Sequence, residues 1–380
     1  MKKHLPVLVA FGWLMLSAVT ASGQGKLLND TELGGQPTYQ SLEAAFREPE
    51  KVIRLELHNL AQLPDSISKL VNLQELTLNN NALTQLPAQI GELTQLQKLH
   101  VVNNRLAKLP AEIGKLSHLR ELNVGRNHLQ ELPAQIGALP KLNVLSVAHN
   151  QLRQLPGDLG KLPQLKQLIV SENQLTALPE QLGNVTGLEE LHLMNNRLTT
   201  LPQGFGGLKN LQRLNLSENQ LQALPESIGQ LTHLRNLDLR SNQLAALPAG
   251  IGSLDSLRHL WLRDNQLASL PPEIGKLNSL EQLDVRGNQL TSLPGQIGDL
   301  KNLKALNLCG NKLQTLPSQV GKLQQLQRLD LWANKITSLP GEIGNLKQLQ
   351  TLRLQTDKLP RTVKEQLNFD LLSTQVQLRF

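Results

Sequence analysis

The sequence predicts an α/β solenoid, a stack of short coils with a parallel β-sheet along its concave side and turns or short helices on its convex side. Three observations carry that expectation. Asparagine recurs at 81, 104, 127, 150, 173, 196, 219, 242, 265, 288, 311 and 334, always 23 residues apart. Leucine recurs at fixed offsets around each of them, while Phe, Trp and Tyr together make up 2% of the chain, so the core must be stacked aliphatic layers. Before each asparagine the pattern alternates with period two, as in Leu76-Thr77-Leu78, which buries two leucines and turns the residue between them outward.

The chain opens with Lys2 and Lys3, an apolar stretch from about Leu5 to Leu16, and the small residues Ala18, Ala21, Ser22 and Gly23. This pattern predicts a secretory signal peptide over residues 1–23, cleaved after Ala21 or Gly23, and therefore an exported protein of the periplasm, cell surface or medium. The apolar run is short for a membrane span, and no later segment is long and apolar enough for one. Cys309 is the single cysteine, so export is not accompanied by internal disulfides, which fits a bacterial protein best.

Residues 24–70 should form an entry cap and a first, shortened coil. Tyr39, Leu42, Ala45 and Phe46 fall on one helical face, and Val52 to Leu57 supplies the coil. Residues 71–346 hold twelve repeats. Leu73, Leu76, Leu78, Asn81, Leu83, Leu86, Pro87, Ile90, Gly91 and Leu93 give the full pattern, with Phe205 standing in the isoleucine column of a later copy. A carboxamide both donates and accepts, so the asparagine column can satisfy turning backbone between coils; aspartate would forfeit the donor. Pro87 and its counterparts fix φ and withdraw an N–H, and Gly91 and its counterparts are expected to let the backbone leave a short helical turn. Residues 347–380 should close the stack: Asp357 takes the ladder position, Pro360 to Asn368 reads as a helix, and Val376, Leu378 and Phe380 alternate as a final strand.

With these residues in view, the chain resembles the leucine-rich-repeat family, in particular the 23-residue L-P-x-x-I-G form of Ras-suppressor-like proteins and of exported bacterial repeat proteins. The resemblance implies an arc lined inside by a parallel sheet, and the segment from Tyr39 to Leu57 is similar to the entry cap of the bacterial members.

Catalysis is not expected. The nine histidines do not cluster, and no metal or cofactor site follows from their spacing. Asp238 and His259 stand on neighbouring strands, but no serine or cysteine completes a nucleophilic arrangement. The glycines belong mainly to the repeat and form no phosphate loop. The formal charge is +7, two of it from Lys2 and Lys3, and acids and bases are interspersed, so nucleic acid is not an expected partner.

Function should then lie at positions that the fold leaves free. The residue between the inward leucines runs Thr77, His100, Asn123, Ser146, Ile169, His192, Asn215, Asp238, Trp261, Asp284, Asn307, Asp330; two residues later come Asn79, Val102, Gly125, Ala148, Ser171, Met194, Ser217, Arg240, Arg263, Arg286, Cys309, Trp332. Trp261 and Trp332 point into the hollow and are interface-anchor types, with His259 beside them. Arg240, Arg263 and Arg286 are lateral neighbours whose repulsion must be offset, either by Asp238, Asp264 and Asp284 or by an anionic partner. Val144, Ile169 and Met194 form an exposed apolar strip. The expected partner is a protein on the concave face, with Trp261, Trp332, Arg240, Arg263, Arg286, Asp238, Asp284, His259, Met194 and Ile169 in contact. A carbohydrate or cell-envelope polymer, or a structural adhesive role, are the alternatives. Oligomeric state is not legible.

Overall fold

The computed structural model describes residues 25–355 and 377–379. The segment expected to be a signal peptide, Asp357, the helix expected over Pro360 to Asn368, Val376 and Phe380 lie outside the described residues.

Sixteen short strands form one parallel sheet in strict sequence order. They are β1 (Thr38–Tyr39), β2 (Arg54–Glu56), β3 (Glu75–Thr77), β4 (Lys98–His100), β5 (Glu121–Asn123), β6 (Val144–Ser146), β7 (Gln167–Ile169), β8 (Glu190–His192), β9 (Arg213–Asn215), β10 (Asn236–Asp238), β11 (His259–Trp261), β12 (Gln282–Asp284), β13 (Ala305–Asn307), β14 (Arg328–Asp330), β15 (Thr351–Arg353) and β16 (Gln377–Arg379). Each pairs in register with its counterpart in the next coil, Leu237 against Leu260 and Asp238 against Trp261, for instance. A strand of three residues has little independent stability; what fixes it is the burial beneath. Leu73, Leu76, Leu78, Leu83, Ile90 and Leu93 are fully buried, as are their counterparts in later coils, and they join one continuous core. The aliphatic stack therefore has no internal boundary from β2 to β15.

The asparagine column works as its chemistry requires. Asn196 is buried, its Nδ2 donates to Val170 O and Leu193 O at 3.1 Å each, and its Oδ1 accepts from Leu175 N–H at 3.0 Å. One side chain thus closes its own coil and stitches it to the coil before. The residue preceding each ladder asparagine has positive φ, from Asn80 at +60° to Ala333 at +53°, with glycine at Gly287 and Gly310. That left-handed kink ends the strand and was not anticipated from the pattern.

On the convex side, thirteen five-residue 3-10 turns, from Asp65–Lys69 to Gly341–Asn345, each follow a proline. Pro87, at φ −68° and ψ 150°, is extended and sets the turn that begins at Ala88. The glycine in this turn has a different purpose from the one expected. Gly91 does not adopt positive φ; a Cβ there would sit 2.6 Å from Glu112 O and 2.8 Å from Glu112 Cβ. Glycine is required because successive turns touch backbone to backbone, which sets the spacing of the convex side.

At the N-terminal end the cap differs in detail from expectation. Tyr39 is on β1, paired with Leu55 of β2, and the helix α2 (Leu42–Arg47) begins after it, with Ala45 fully buried. A further short helix, α1 (Asp30–Gly34), precedes β1 and has a capping box between Asn29 and Glu32. Its segment is held to the solenoid by Arg54, whose guanidinium donates to Glu75 at 3.0 and 3.1 Å and to the carbonyl of Gln36 at 3.3 Å.

Candidate binding surface on the concave sheet

Register and alternation place three outward columns on the sheet: the residue before the first strand leucine, the residue between the two leucines, and the residue two further on. The first of these, represented by Glu75, Lys98, Glu121, Val144, Gln167 and Glu190 on β3 to β8, was not read as a column from the sequence, although Val144 and His259 belong to it.

Trp261 and Trp332 both lie on these columns and are half-buried. Trp261 on β11 stacks against His259 of the same strand, ring centroids 5.4 Å apart and planes within 10°. The Asn236 amide nitrogen lies 3.0 Å from His259 Nδ1, so that ring nitrogen accepts and the imidazole is locked in orientation. Three strands on, Trp332 follows β14, and its N–H donates to Asp330 Oδ1 at 3.0 Å. A hollow of about 160 Å³ opens along β12 to β15 where Ala305 interrupts the first column; Arg328 and Arg353 border it. Trp261 and Trp332 stand on one face of the sheet, three strands apart.

Each arginine of the column is matched by an aspartate from its own coil. Arg240 donates to both oxygens of Asp238 from Nε, at 2.9 and 3.1 Å, and from Nη2 at 2.5 Å. Arg263 Nε reaches Asp264 at 2.8 Å, and Arg286 Nε stands 3.1 Å from Asp284 Oδ2. The lateral repulsion is thus answered inside the molecule, and the guanidinium groups still reach solvent.

Asp238 and Asp284, expected among the contact residues, are nearly buried. They are 6% and 4% exposed, because each carboxylate turns down to accept the N–H two residues ahead, that of Arg240 at 3.1 Å and Arg286 at 3.2 Å. Asn123, Asn215, Asn307 and Asp330 do the same for Gly125, Ser217, Cys309 and Trp332. These are Asx turns that satisfy the backbone where the strand ladder ends. Recurrence of Asn and Asp at this one column was the signal for it. Burial pushes the Asp284 carboxyl above its ordinary value, against the pull of the nearby arginines.

Val144, Ile169 and Met194 run diagonally across β6 to β8, one in each column, but are half-buried. Among the described residues the one large hydrophobic side chain that counts as exposed is Val71, at 38%. The Cys309 thiol is half-buried; burial and the Asp330 charge push its pKa up, so it is a poor nucleophile at neutral pH.

The N-terminal half of the sheet has different chemistry. Glu121 Oε1 stands 3.1 Å from His100 Nε2, and that contact lowers its pKa. Glu190 is partly buried, which opposes ionisation, yet Arg213 and His192 together hold its carboxyl below the ordinary range. Among the described residues, no group of three or more His, Cys, Asp or Glu could hold a metal, and no helix is long and apolar enough to cross a membrane.

Family comparison agrees with this geometry. A model described as a leucine-rich repeat region matches residues 51–123, 107–198, 251–308 and 295–376, and a second leucine-rich-repeat model matches 186–244. The chain belongs to the leucine-rich-repeat family. A leucine-rich-repeat protein of Leptospira interrogans is similar at 35% identity, over 91% of this chain and 100% of that one, with TM-score 0.78. An internalin of Listeria monocytogenes shares the fold at 23% identity, over 80% and 88% of the two chains, with TM-score 0.67. The plant peptide hormone receptor RGFR1, solved in complex with RGF2, is 25% identical over 90% of this chain and 72% of that one, with TM-score 0.53. No curated protein gives a match. The leucine-rich-repeat fold serves in general as a protein-binding scaffold.

Proposed function

We propose that this leucine-rich-repeat protein is an exported, non-catalytic scaffold that binds a protein partner through the C-terminal half of its concave sheet. Trp261 and Trp332 are its anchors, with Arg240, Arg263 and Arg286 selecting for charge and His259 bracing the first indole. The observation that carries the reading is the pair of half-buried tryptophans on one face of the sheet, Trp261 on β11 and Trp332 just after β14. Large aromatic groups on a preformed surface give contact area with little ordering cost. The aspartates Asp238 and Asp284 hold the arginine backbone in place and do not touch the partner. Ile169 and Met194 extend the contact only at its edge, since they lie on β7 and just after β8, outside that half of the sheet. The Leptospira protein supports the scaffold class, and the plant receptor RGFR1, solved in complex with RGF2, is a protein of similar fold with another molecule in complex.

The test uses the mature chain labelled with 5-fluorotryptophan. Fluorine NMR during titration with a protein recovered on the immobilised chain should move the resonances of both Trp261 and Trp332. A partner that binds while both resonances stay still would overturn the anchor assignment. Displacement by soluble glycans but not by proteins would point to a polymer ligand in its place.

A further inference from the structure

A second concave feature lies at the opposite end of the sheet, where the N-terminal arm meets β4. Gly25 N–H donates to Asn72 Oδ1 at 2.7 Å, Leu28 N–H to Gln74 Oε1 at 2.9 Å, and Gln97 Nε2 to Leu28 O at 2.9 Å. The arm therefore follows the leading edge of the strands from one coil to the next. Lys98 Nζ then ties it down through Asp30 at 2.7 Å, and α1 turns away. The track that the arm has been following is left open at this point. It forms a cavity of about 550 Å³ that reaches from β4 across β5 to β6.

The lining residues are mostly charged or polar, of both signs, and their aliphatic stems contribute nearly as much surface as their polar groups. Lys98, Arg120 and Lys141 are its cations, and Asn143 and Gln164 contribute carboxamides; Val144 is the only apolar member. Asp30 and Glu121 are also there, but Asp30 is engaged by Lys98 and Glu121 by His100. Arg120 acts on the Asp30 carboxylate only at longer range, the direct ion pair there being made by Lys98, and Lys141 forms no ion pair among the described residues. An open cavity thus offers two cations without a direct carboxylate partner next to groups that both donate and accept.

We infer that this cavity binds an acidic saccharide, a polyhydroxylated ligand with a carboxylate that Arg120 and Lys141 hold. A planar guanidinium and an ammonium together suit one carboxylate. Asn143 and Gln164 match sugar hydroxyls, which need donors and acceptors alike. Asp30 and Glu121 accept hydroxyl protons and repel a densely anionic chain, which disfavours a polyacidic peptide. The distance from β4 to β6 is about 10 Å at the ordinary strand spacing, room for two sugar rings. The site is separate from the tryptophan surface, which lies on β11 to β14.

Calorimetry on the mature chain tests it with two probes, a disaccharide of glucuronate and N-acetylglucosamine and a digalacturonate. Their carboxyl-reduced neutral analogues and hexaglutamate are the comparators. At least one acidic disaccharide should bind, with its neutral analogue at least about tenfold weaker. The double variant Arg120→Gln and Lys141→Gln should lose about tenfold with thermal melting unchanged, as both side chains lie outside the core. The methyl resonances of Val144 should shift on binding while those of Val285 stay. The Trp261→Ala and Trp332→Ala variant should retain full affinity, so this result is independent of the proposed protein-binding surface. No binding of either acidic disaccharide, equal binding of the neutral forms, tighter binding of hexaglutamate, or an unaffected double variant would each overturn the inference.

Discussion

The two halves of the concave sheet share one frame and differ in almost everything that projects from it. From β2 to β8 the outward columns hold Glu56, Glu75, Glu121 and Glu190 against Arg54 and Lys98. From β9 to β15 they hold Arg213, Arg240, Arg263, Arg286, Arg328 and Arg353 against Asp238, Asp284 and Asp330, together with both tryptophans. Beneath both, the leucine columns and the asparagine ladder are the same. A repeat fold thus separates what holds the molecule together from what it displays, and the display can change along the stack without cost to the core.

The largest effect tests whether the frame is indeed shared. Leu191→Ala and Leu260→Ala, one in each half and both fully buried, should each destabilise by about 2–5 kcal/mol in urea titrations. A cost confined to one half would mean that the core is not continuous. Asn196→Asp should come next, at about 2 kcal/mol or more, because the carboxylate is buried and cannot donate to Val170 O and Leu193 O. Asn196→Ser costing as little as an exposed substitution would contradict the stitching role.

Acid should then separate the halves. The carboxyls of Glu121 and Glu190 are lowered from an ordinary 4.5, so their contribution is present above that pH and is lost as pH falls through the folded values. Asp284 is raised from an ordinary 3.8; its contribution has the opposite sign, full at low pH and lost as pH rises through its folded value. Hydrogen exchange at pH 7 and pH 4 should therefore show β5 to β8 loosening first and β12 last. Asp284→Asn should leave thermal stability at pH 7 unchanged or raised, since Asn123, Asn215 and Asn307 cap the same turn without a charge. A clear loss would mean that pairing with Arg286 outweighs burial.

The smallest effect concerns the strand-ending kink. Ala333→Gly, at φ +53°, should stabilise by about 1 kcal/mol, whereas the same change at an ordinary extended position should destabilise. Stability unchanged by Ala333→Gly would remove backbone strain from the account of this turn.

Much of the frame was legible because it is periodic. The 23-residue spacing of Asn81 to Asn334 fixed the stacking direction, and Leu76-Thr77-Leu78 fixed which side chains turn inward. What escaped was set by contacts between coils or by local backbone. Gly91 answers to Glu112 in the next coil, and nothing within its own turn reveals that. Asp238 and Asp284 looked like surface charge because the N–H that each must cap is a property of where the ladder stops. The first outward column precedes the two leucines and carries no consensus residue to mark it, and the arm along Asn72, Gln74 and Gln97 has no repeat to announce it.

The claim that binding resides in the tryptophan-bearing half is tested most directly by affinity of the purified partner for two double variants. Trp261→Ala with Trp332→Ala should weaken it by roughly 100-fold or more, the loss of two anchors. Thr77→Ala with Gln167→Ala, on the other half of the same face, should change it by less than about twofold, within the range of contacts that carry little energy. Equal losses in both, or a loss confined to the second, would contradict the account.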